Sequence, residues 1–231
     1  MGLIDARRLV DELVAGRPRL DEAQQRLALT LYRLLGEGRP VSPQRLAEHA
    51  GVDPRDVHRL LQRQYGVYLD EQGAVEGFWG LSVSSTAHRL KLDGRTLYAW
   101  CAWDTLFLPA LIGTTIGVES SCPTNGATIS ITVAPERVLK VEPAGAALSF
   151  RHPDARFTAN TRSSFCRHVN FFASAEAVDE WTARDGGTFA MSIDDGFEIG
   201  RRVNDATYGR TLAAWVRAPR GAGTTQQRWT P

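Results

Sequence analysis

Apolar positions in the first part of the chain recur at helical spacing. Leu9, Val10, Leu13 and Val14 form one stripe, and Leu27, Leu31, Leu34 and Leu35 form a second, with Gly16 to Pro18 between them. Spacings of three and four residues put each set on one helix face, so residues 3–36 predict two amphipathic helices. Ser42 before Pro43 and Asp53 before Pro54 each place a capping side chain ahead of a proline at the first helical position, and Gly51 stops the first of this pair. Two further short helices are expected there. Val67-Tyr68-Leu69 and the run Ala74 to Leu81 then flank the turn-forming group Asp70-Glu71-Gln72-Gly73, which predicts a hairpin.

From Thr86 onward the pattern changes to short strands. They are expected at Ala87 to Leu92, Thr115 to Val118, Ala127 to Val133, Val138 to Val141, Ala146 to Phe150 and Val169 to Phe172, most of them separated by turn signals such as Asp93-Gly94, Asn125-Gly126 and Pro143. Helices are expected at Thr96 to Phe107, at Ala175 to Arg184 behind the Ser174 cap, and at Asp195 to Ala206. The expectation is an α+β protein in three parts: a helical, winged-helix-like region at 1–81, an α+β domain with a mixed sheet at 82–219, and a mobile tail at 220–231.

The order of helices and hairpin in the first part is that of a winged helix-turn-helix, which raises DNA binding. Its would-be recognition helix, Asp53 to Arg63, offsets its arginines with Asp53 and Asp56. Over all 231 residues, 27 Lys plus Arg face 26 Asp plus Glu, a net charge of +1 that gives no global field for nucleic acid or an anionic membrane. A DNA-binding module and a helical cap on the next domain both remain open for this region. Charge follows directly on a very short apolar run at the N-terminus, which reads as lacking a secretory signal. The longest apolar stretch, Leu106 to Gly113, contains Pro109 and is too short to span a bilayer. A cytoplasmic location is expected, where the three cysteines would stay reduced.

Cys101 and Asp104 lie three residues apart in the largely apolar segment Leu97 to Leu106. On a helix that spacing turns both to one side, and a buried Asp drifts toward its protonated form, a candidate general acid beside a thiol. The pair would equally serve as a small core residue and a loop cap. Cys166 stands in Ser163-Ser164-Phe165-Cys166-Arg167-His168, in a loop ahead of a strand, where the neighbouring cations favour a thiolate. It too has a plain reading as a half-buried thiol. Cys122, before the turn Asn125-Gly126, reads as structural. Zinc is unsupported because neither Cys-x-x-Cys nor His-x-x-x-His occurs, and no phosphate loop, dinucleotide loop or Gly-x-Ser-x-Gly motif is present. No resident cofactor is expected.

Taken together, Gly94 to Leu106, Pro109-Ala110-Leu111-Ile112-Gly113 and Ser163 to Ser174 closely resemble the alkylmercury lyase family. The likeness runs from Gly38-Arg39-Pro40-Val41-Ser42 through Val141-Glu142-Pro143-Ala144-Gly145 to Phe171-Phe172-Ala173-Ser174. The resemblance implies a degenerate winged helix-turn-helix region before a mixed-sheet catalytic domain, and cleavage of carbon–mercury bonds by protonolysis. By position it implies that Cys101 and Cys166 are the catalytic cysteines that take up mercury, that Asp104 is their acidic partner, and that Cys122 is structural. It also implies organomercury substrates, low-molecular-weight thiols for product release and a mercuric reductase as a recipient; from the charge balance and the short apolar run, neither a nucleic acid nor a membrane partner is expected. Arg167, where a second cysteine can occur, and Trp103, where a smaller aliphatic residue is usual, depart from the family pattern. The competing expectations are a thiol-based metal sensor that binds DNA through residues 39–80, and a relative that binds metal without cleaving carbon.

Overall fold

The computed structural model describes residues 5–63, 66–154, 157 and 160–217, and only the backbone of residues 58–60, 62, 63, 216 and 217. The expected tail at 220–231 lies outside the described residues. Helices α1 (Ala6–Ala15) and α2 (Glu22–Leu35) bury the two stripes read from the sequence, Val14 being only partly covered. The start of α2 is fixed by reciprocal capping: the Asp21 side chain accepts the Gln24 backbone N–H, and the Gln24 side chain accepts that of Asp21. Helix α3 (Pro43–Ala50) begins under the Ser42 cap and ends at Gly51, whose φ of +68° is a left-handed stop suited to glycine. Helix α4 (Pro54–Arg63) follows, but the side chains at 58–60, 62 and 63, much of the expected recognition helix, lie outside the described residues.

The expected hairpin forms from β1 (Val67–Leu69) and β2 (Val75–Phe78), with the Asp70 side chain accepting the N–H groups of Gln72 and Ala74 across the turn. It continues into β3 (Leu81–Ser82), β4 (His88–Leu92), β5 (Arg95–Ala99), β6 (Ile116–Ser121), β7 (Thr128–Val133) and β8 (Val138–Glu142). These make one eight-stranded sheet in the order β1-β2-β3-β5-β4-β6-β7-β8. The boundary expected between 81 and 82 falls within β3. Every pairing among the described residues is antiparallel, so two antiparallel sheets take the place of the expected mixed sheet. The reason lies in the connections. Most are tight turns, which join antiparallel neighbours. Helix α5 (Asp104–Ile112), between β5 and β6, carries the chain past β4, so that β6 pairs with β4 rather than with β5.

The expected helix at Thr96 to Phe107 is also corrected: its first part is strand β5. Asp93 and Gly94 both have positive φ, 46° and 77°, and form a two-residue turn that lays Arg95–Ala99 back along β4 from Leu92↔Arg95 to His88↔Ala99. The second sheet contains β9 (Ala147–Arg151), then, after the short helix α6 (Thr161–Ser164), β10 (Phe171–Phe172), and, after α7 (Ala175–Arg184), β11 (Thr188–Ser192), in the order β10-β9-β11. Strand β11 has no counterpart among the expected elements. The last helix, α8 (Ile193–Arg217), is longer than expected and is broken at Gly209, whose backbone leaves the helical region. Helix α8 packs on α1, α2 and α5, so the N-terminal helices and the sheet layers share one core. No described helix is long and apolar enough to cross a membrane.

Candidate active site

Strand β5 ends at Ala99, paired with Leu81 of β3, and the chain then turns through residues 100–103 into α5. Two backbone bonds set that turn: Trp100 N–H donates to the Gly80 carbonyl at 2.8 Å, and Ala102 N–H donates to the Val169 carbonyl at 3.0 Å. The second ties the Cys101 turn to the segment that carries Cys166. Cys166 itself opens a short 3₁₀ turn, Cys166–His168, in place of the loop expected there. Ser149 of β9 anchors that turn, its hydroxyl donating to the His168 carbonyl at 2.6 Å and accepting the Asn170 N–H at 3.0 Å.

Cys101, Asp104 and Cys166 meet at this junction. One ligand atom from each lies within 4.8 Å of the others, and all three residues are buried. Cys101 and Asp104 are not on one helix face as the sequence predicts. Cys101 lies in the turn, and its backbone N–H donates to Asp104 Oδ2 at 3.0 Å across the first turn of α5. Asp104 and Cys166 line a small cleft with a volume of about 10 Å³, room for little more than one water, whose wall also includes Arg17, Trp79, Gly80 and Trp103. Cys101 is fully buried behind them.

Burial dominates the electrostatics. It pushes the Cys101 thiol well above its ordinary value, helped by its S–H donating to Cys166 and by the nearby Asp104 carboxylate. For Cys166 the Cys101 hydrogen bond acts downward, but burial and the Asp104 charge outweigh it and leave the thiol raised. Burial lifts the Asp104 carboxyl to about 6, against the lowering effects of its Cys101 hydrogen bond and the Arg17 charge. Its position is fixed sterically as well. A Cβ on Gly80 would lie 2.6 Å from Asp104 Oδ1, so only glycine lets the backbone approach the carboxylate this closely. Tyr32 holds that loop by donating to the Trp79 carbonyl at 3.1 Å.

A protein-family model for alkylmercury lyases matches residues 81–205. A curated alkylmercury lyase of Staphylococcus epidermidis is 42% identical over 173 residues, covering 75% of this chain and 79% of its own. One of Pseudomonas putida is 42% identical over 177 residues, covering 77% and 82%. The chain belongs to the alkylmercury lyase family. The fold agrees: the crystal structure of the mercury-bound form of MerB2 superposes with a TM-score of 0.69 over 90% of this chain and 98% of its own, at 22% identity.

Within this lyase the other residues singled out from sequence lie apart from the cluster. Cys122 is buried beyond the end of β6, its sulfur 3.1 Å from Thr124 Oγ1. Burial pushes its thiol up, but hydrogen bonds from the Thr124 hydroxyl and from the backbone of Ala173, Thr124 and Asn125 prevail and leave it below the ordinary value. Arg167 is exposed. Trp103 is buried against Phe107, Phe150 and Phe165, with ring centroids at 4.9, 5.3 and 6.1 Å, and its Nε1 donates to the Gly196 carbonyl at 3.0 Å. Sequence reading missed Arg17, Tyr32 and the Trp79-Gly80 corner. Arg17 was hidden in a stretch that reads as a break between helices, and only the Gly80 glycine offers a signal, which is generic.

Proposed function

We propose that the protein is an organomercurial lyase in which two cysteines capture mercury and Asp104 carries the proton to carbon. The observation that carries the reading is the closeness of Cys101, Cys166 and Asp104 in one buried cluster. Sulfur–metal bonds about as short as the zinc–sulfur distance of about 2.3 Å would let a linear sulfur–mercury–sulfur unit span about 4.6 Å. That fits a cluster whose ligand atoms lie within 4.8 Å of one another. Soft thiolate sulfur suits a soft metal, by extension of the preference seen in the first-row series.

The order of events follows from access. Cys166 faces the cleft and accepts the Cys101 S–H, so it is the thiol placed to displace the ligand X from R–Hg–X, its proton leaving with X. Cys101 sits behind, with Cys166 and the Asp104 carboxylate as alternative acceptors for its one S–H. Its proton passes to the Asp104 carboxylate as its sulfur becomes the second mercury ligand. Electron density from two thiolates makes the bound carbon basic, and Asp104 returns the proton to it. The carbon–mercury bond breaks, its electron pair forms the new carbon–hydrogen bond, and RH leaves while mercuric ion stays on the thiolates. A carboxyl titrating at about 6 is suited to act as base and then acid near neutral pH.

No resident cofactor is needed in this scheme; low-molecular-weight thiols would remove the mercuric ion, a mercuric reductase would receive it, and a cytoplasmic setting would keep the cysteines reduced. We read α2–α4 and the β1–β2 hairpin as a degenerate winged helix-turn-helix serving as a cap. The support is that Arg17 and Tyr32, from the same helical part of the chain, reach the site. Purified protein given phenylmercury and excess thiol is expected to release benzene, measured by gas chromatography, and Cys101→Ala to release none. Absence of benzene with the wild type, or undiminished release by Cys101→Ala, overturns the reading.

A further inference from the structure

The reaction proposed above never changes the charge of the site. In the proposed scheme the site starts with one negative charge, on Asp104, and with both cysteines protonated. Exchange of Cys166 onto R–Hg–SR′ gives Cys166–S–Hg–R and R′SH, and the charge stays on Asp104. When Cys101 gives its proton to Asp104 and binds mercury, the carboxyl is neutral and the three-coordinate complex carries the charge. Protonation of carbon expels RH, leaves a neutral mercury dithiolate and restores the carboxylate. One unit of negative charge therefore moves between carboxylate and metal inside a buried pocket, and each position is costly there without a compensating cation.

The cleft wall contains such a cation. Arg17 is only 9% exposed, and its guanidinium carbon lies over the rings of Trp79, Phe107 and Trp103 at 5.2, 5.4 and 5.9 Å from their centroids. Its Nε is buried with no hydrogen-bond partner, and no ion pair joins it to a carboxylate among the described residues. A buried guanidinium with an idle donor is destabilising in the resting protein, and such unpaired charges persist where function uses them. We propose that Arg17 is an electrostatic positioning residue, the counter-ion for the single negative charge that passes from Asp104 to the dithiolate–mercury complex and back. Because it is held by aromatic faces rather than by a salt bridge to Asp104, it does not fix the charge on the carboxylate. Its charge faces both ends of the path, because Arg17, Asp104 and Cys166 line the same cleft. Arg162, whose charge also bears on Cys166, is exposed and stacks outside over Tyr68 and Trp100, where solvent screens it.

The inference rests on the proposed lyase chemistry and is tested beside it. Wild type, Arg17→Met and Arg17→Lys are compared for benzene release from phenylmercury with excess thiol, for KM and kcat separately, and for thermal midpoint. Arg17→Met is expected to lower kcat by roughly tenfold to a hundredfold, with KM little changed because the charge moves only after binding. Its thermal midpoint is expected to hold or rise, since a lone buried charge is replaced by an apolar side chain of similar length. Arg17→Lys, which keeps the charge, is expected to recover most of the rate. Wild-type kcat in Arg17→Met overturns the inference, as does a lowered midpoint with equally slow Arg17→Lys, the pattern of a packing residue. A wild type that releases no benzene removes the lyase reading and this inference together; an active wild type with an indifferent Arg17→Met removes this inference alone.

Discussion

Gly80→Ala tests the placement of Asp104 without touching any reacting group. Gly80 has φ +99°, and a Cβ built there lies 2.6 Å from Asp104 Oδ1, 2.7 Å from Cγ and 3.0 Å from Cβ. Ordinary van der Waals contact begins at 3.4 Å, so the carboxylate must give by about 0.8 Å. Retreat is restricted, because Oδ2 holds the Cys101 N–H and the carboxylate lies in a core with Cys101 fully buried. Two costs follow. The backbone conformation alone costs about 1–3 kcal/mol in a residue with a side chain, which lowers the thermal midpoint of a domain this size by roughly 2–12 °C. Displacement of the proton carrier by nearly an ångström costs on the order of a hundredfold in rate. Gly73→Ala separates the two effects: Gly73 has φ +79° and a methyl added there meets nothing within 4 Å, so it carries the strain without the clash. Hydrocarbon release per folded protein is expected to fall about a hundredfold in Gly80→Ala and to stay near wild type in Gly73→Ala, with the larger loss of thermal midpoint in Gly80→Ala, which adds the clash to the strain. A folded Gly80→Ala with wild-type kcat/KM would show that the position of Asp104 does not matter, and the proton-carrier argument would fail.

Three further outcomes follow from the site. Asp104 is raised from 3.8 unfolded to about 6 folded, so its contribution to stability is fully present below 3.8 and is lost as pH rises through about 6. The loss is on the order of 3 kcal/mol; urea midpoints measured from pH 4 to 8 should fall with rising pH more steeply in the wild type than in Asp104→Asn, and parallel curves would contradict the shift. Cys122→Ala removes a buried sulfur hydrogen-bonded to Thr124, and should cost about 1–2 kcal/mol while leaving hydrocarbon release within roughly twofold; a large loss of activity in a folded variant would place Cys122 in the chemistry. Trp103→Phe removes the indole hydrogen bond to the Gly196 carbonyl of α8 and opens space at the cleft, so thermal melting should show about 1–3 kcal/mol of destabilisation, with the rate on phenylmercury rising relative to methylmercury. An unchanged ratio of the two rates would exclude Trp103 from substrate selection.

Much of the fold was legible because local chemistry and tertiary structure agree. The stripes on α1 and α2, the Ser174 cap of α7 and five of the six expected strands lie where periodicity and turn residues put them, while the strand expected at Val169 to Phe172 is shortened to Phe171–Phe172. The failure at β5 has a specific cause. The run Leu97 to Leu106 is apolar enough for a buried helix, but Asp93-Gly94 is a two-residue hairpin turn, and such a turn commits the next segment to pair with the last. That is why the proximity of Cys101 and Asp104 was read correctly from their spacing while the helix face invoked for it was not: a turn entering a helix also brings residues three apart together. The mixed sheet failed for a related reason, since strand positions carry no direction, and direction depends on which neighbour each connection reaches. Arg17 was illegible because its role depends on a contact made across the fold. Nothing in Gly16-Arg17-Pro18 says that the side chain will lie over Trp79, Trp103 and Phe107.

The burial of the cluster resolves an apparent conflict. A thiol-based catalyst is usually helped by an exposed, low-pKa cysteine, yet Cys101 and Cys166 are both buried and both raised. Protonated, buried thiols are poor targets for oxidants and for hard or borderline metals, which need a thiolate ready at the surface. Under the proposed chemistry an organomercurial differs because it is apolar enough to enter a cleft walled by Trp79, Trp103 and Phe165, and because mercury displaces the thiol proton as it binds. Deprotonation is thereby coupled to arrival of the substrate. The same dry surroundings that suppress the resting thiolates strengthen the Arg17 and Asp104 charges once the metal is in place. Opening the cleft to water should therefore raise the rate at which the free thiols are alkylated and lower the rate of hydrocarbon release. These opposite changes would not follow if burial of the cysteines served packing alone.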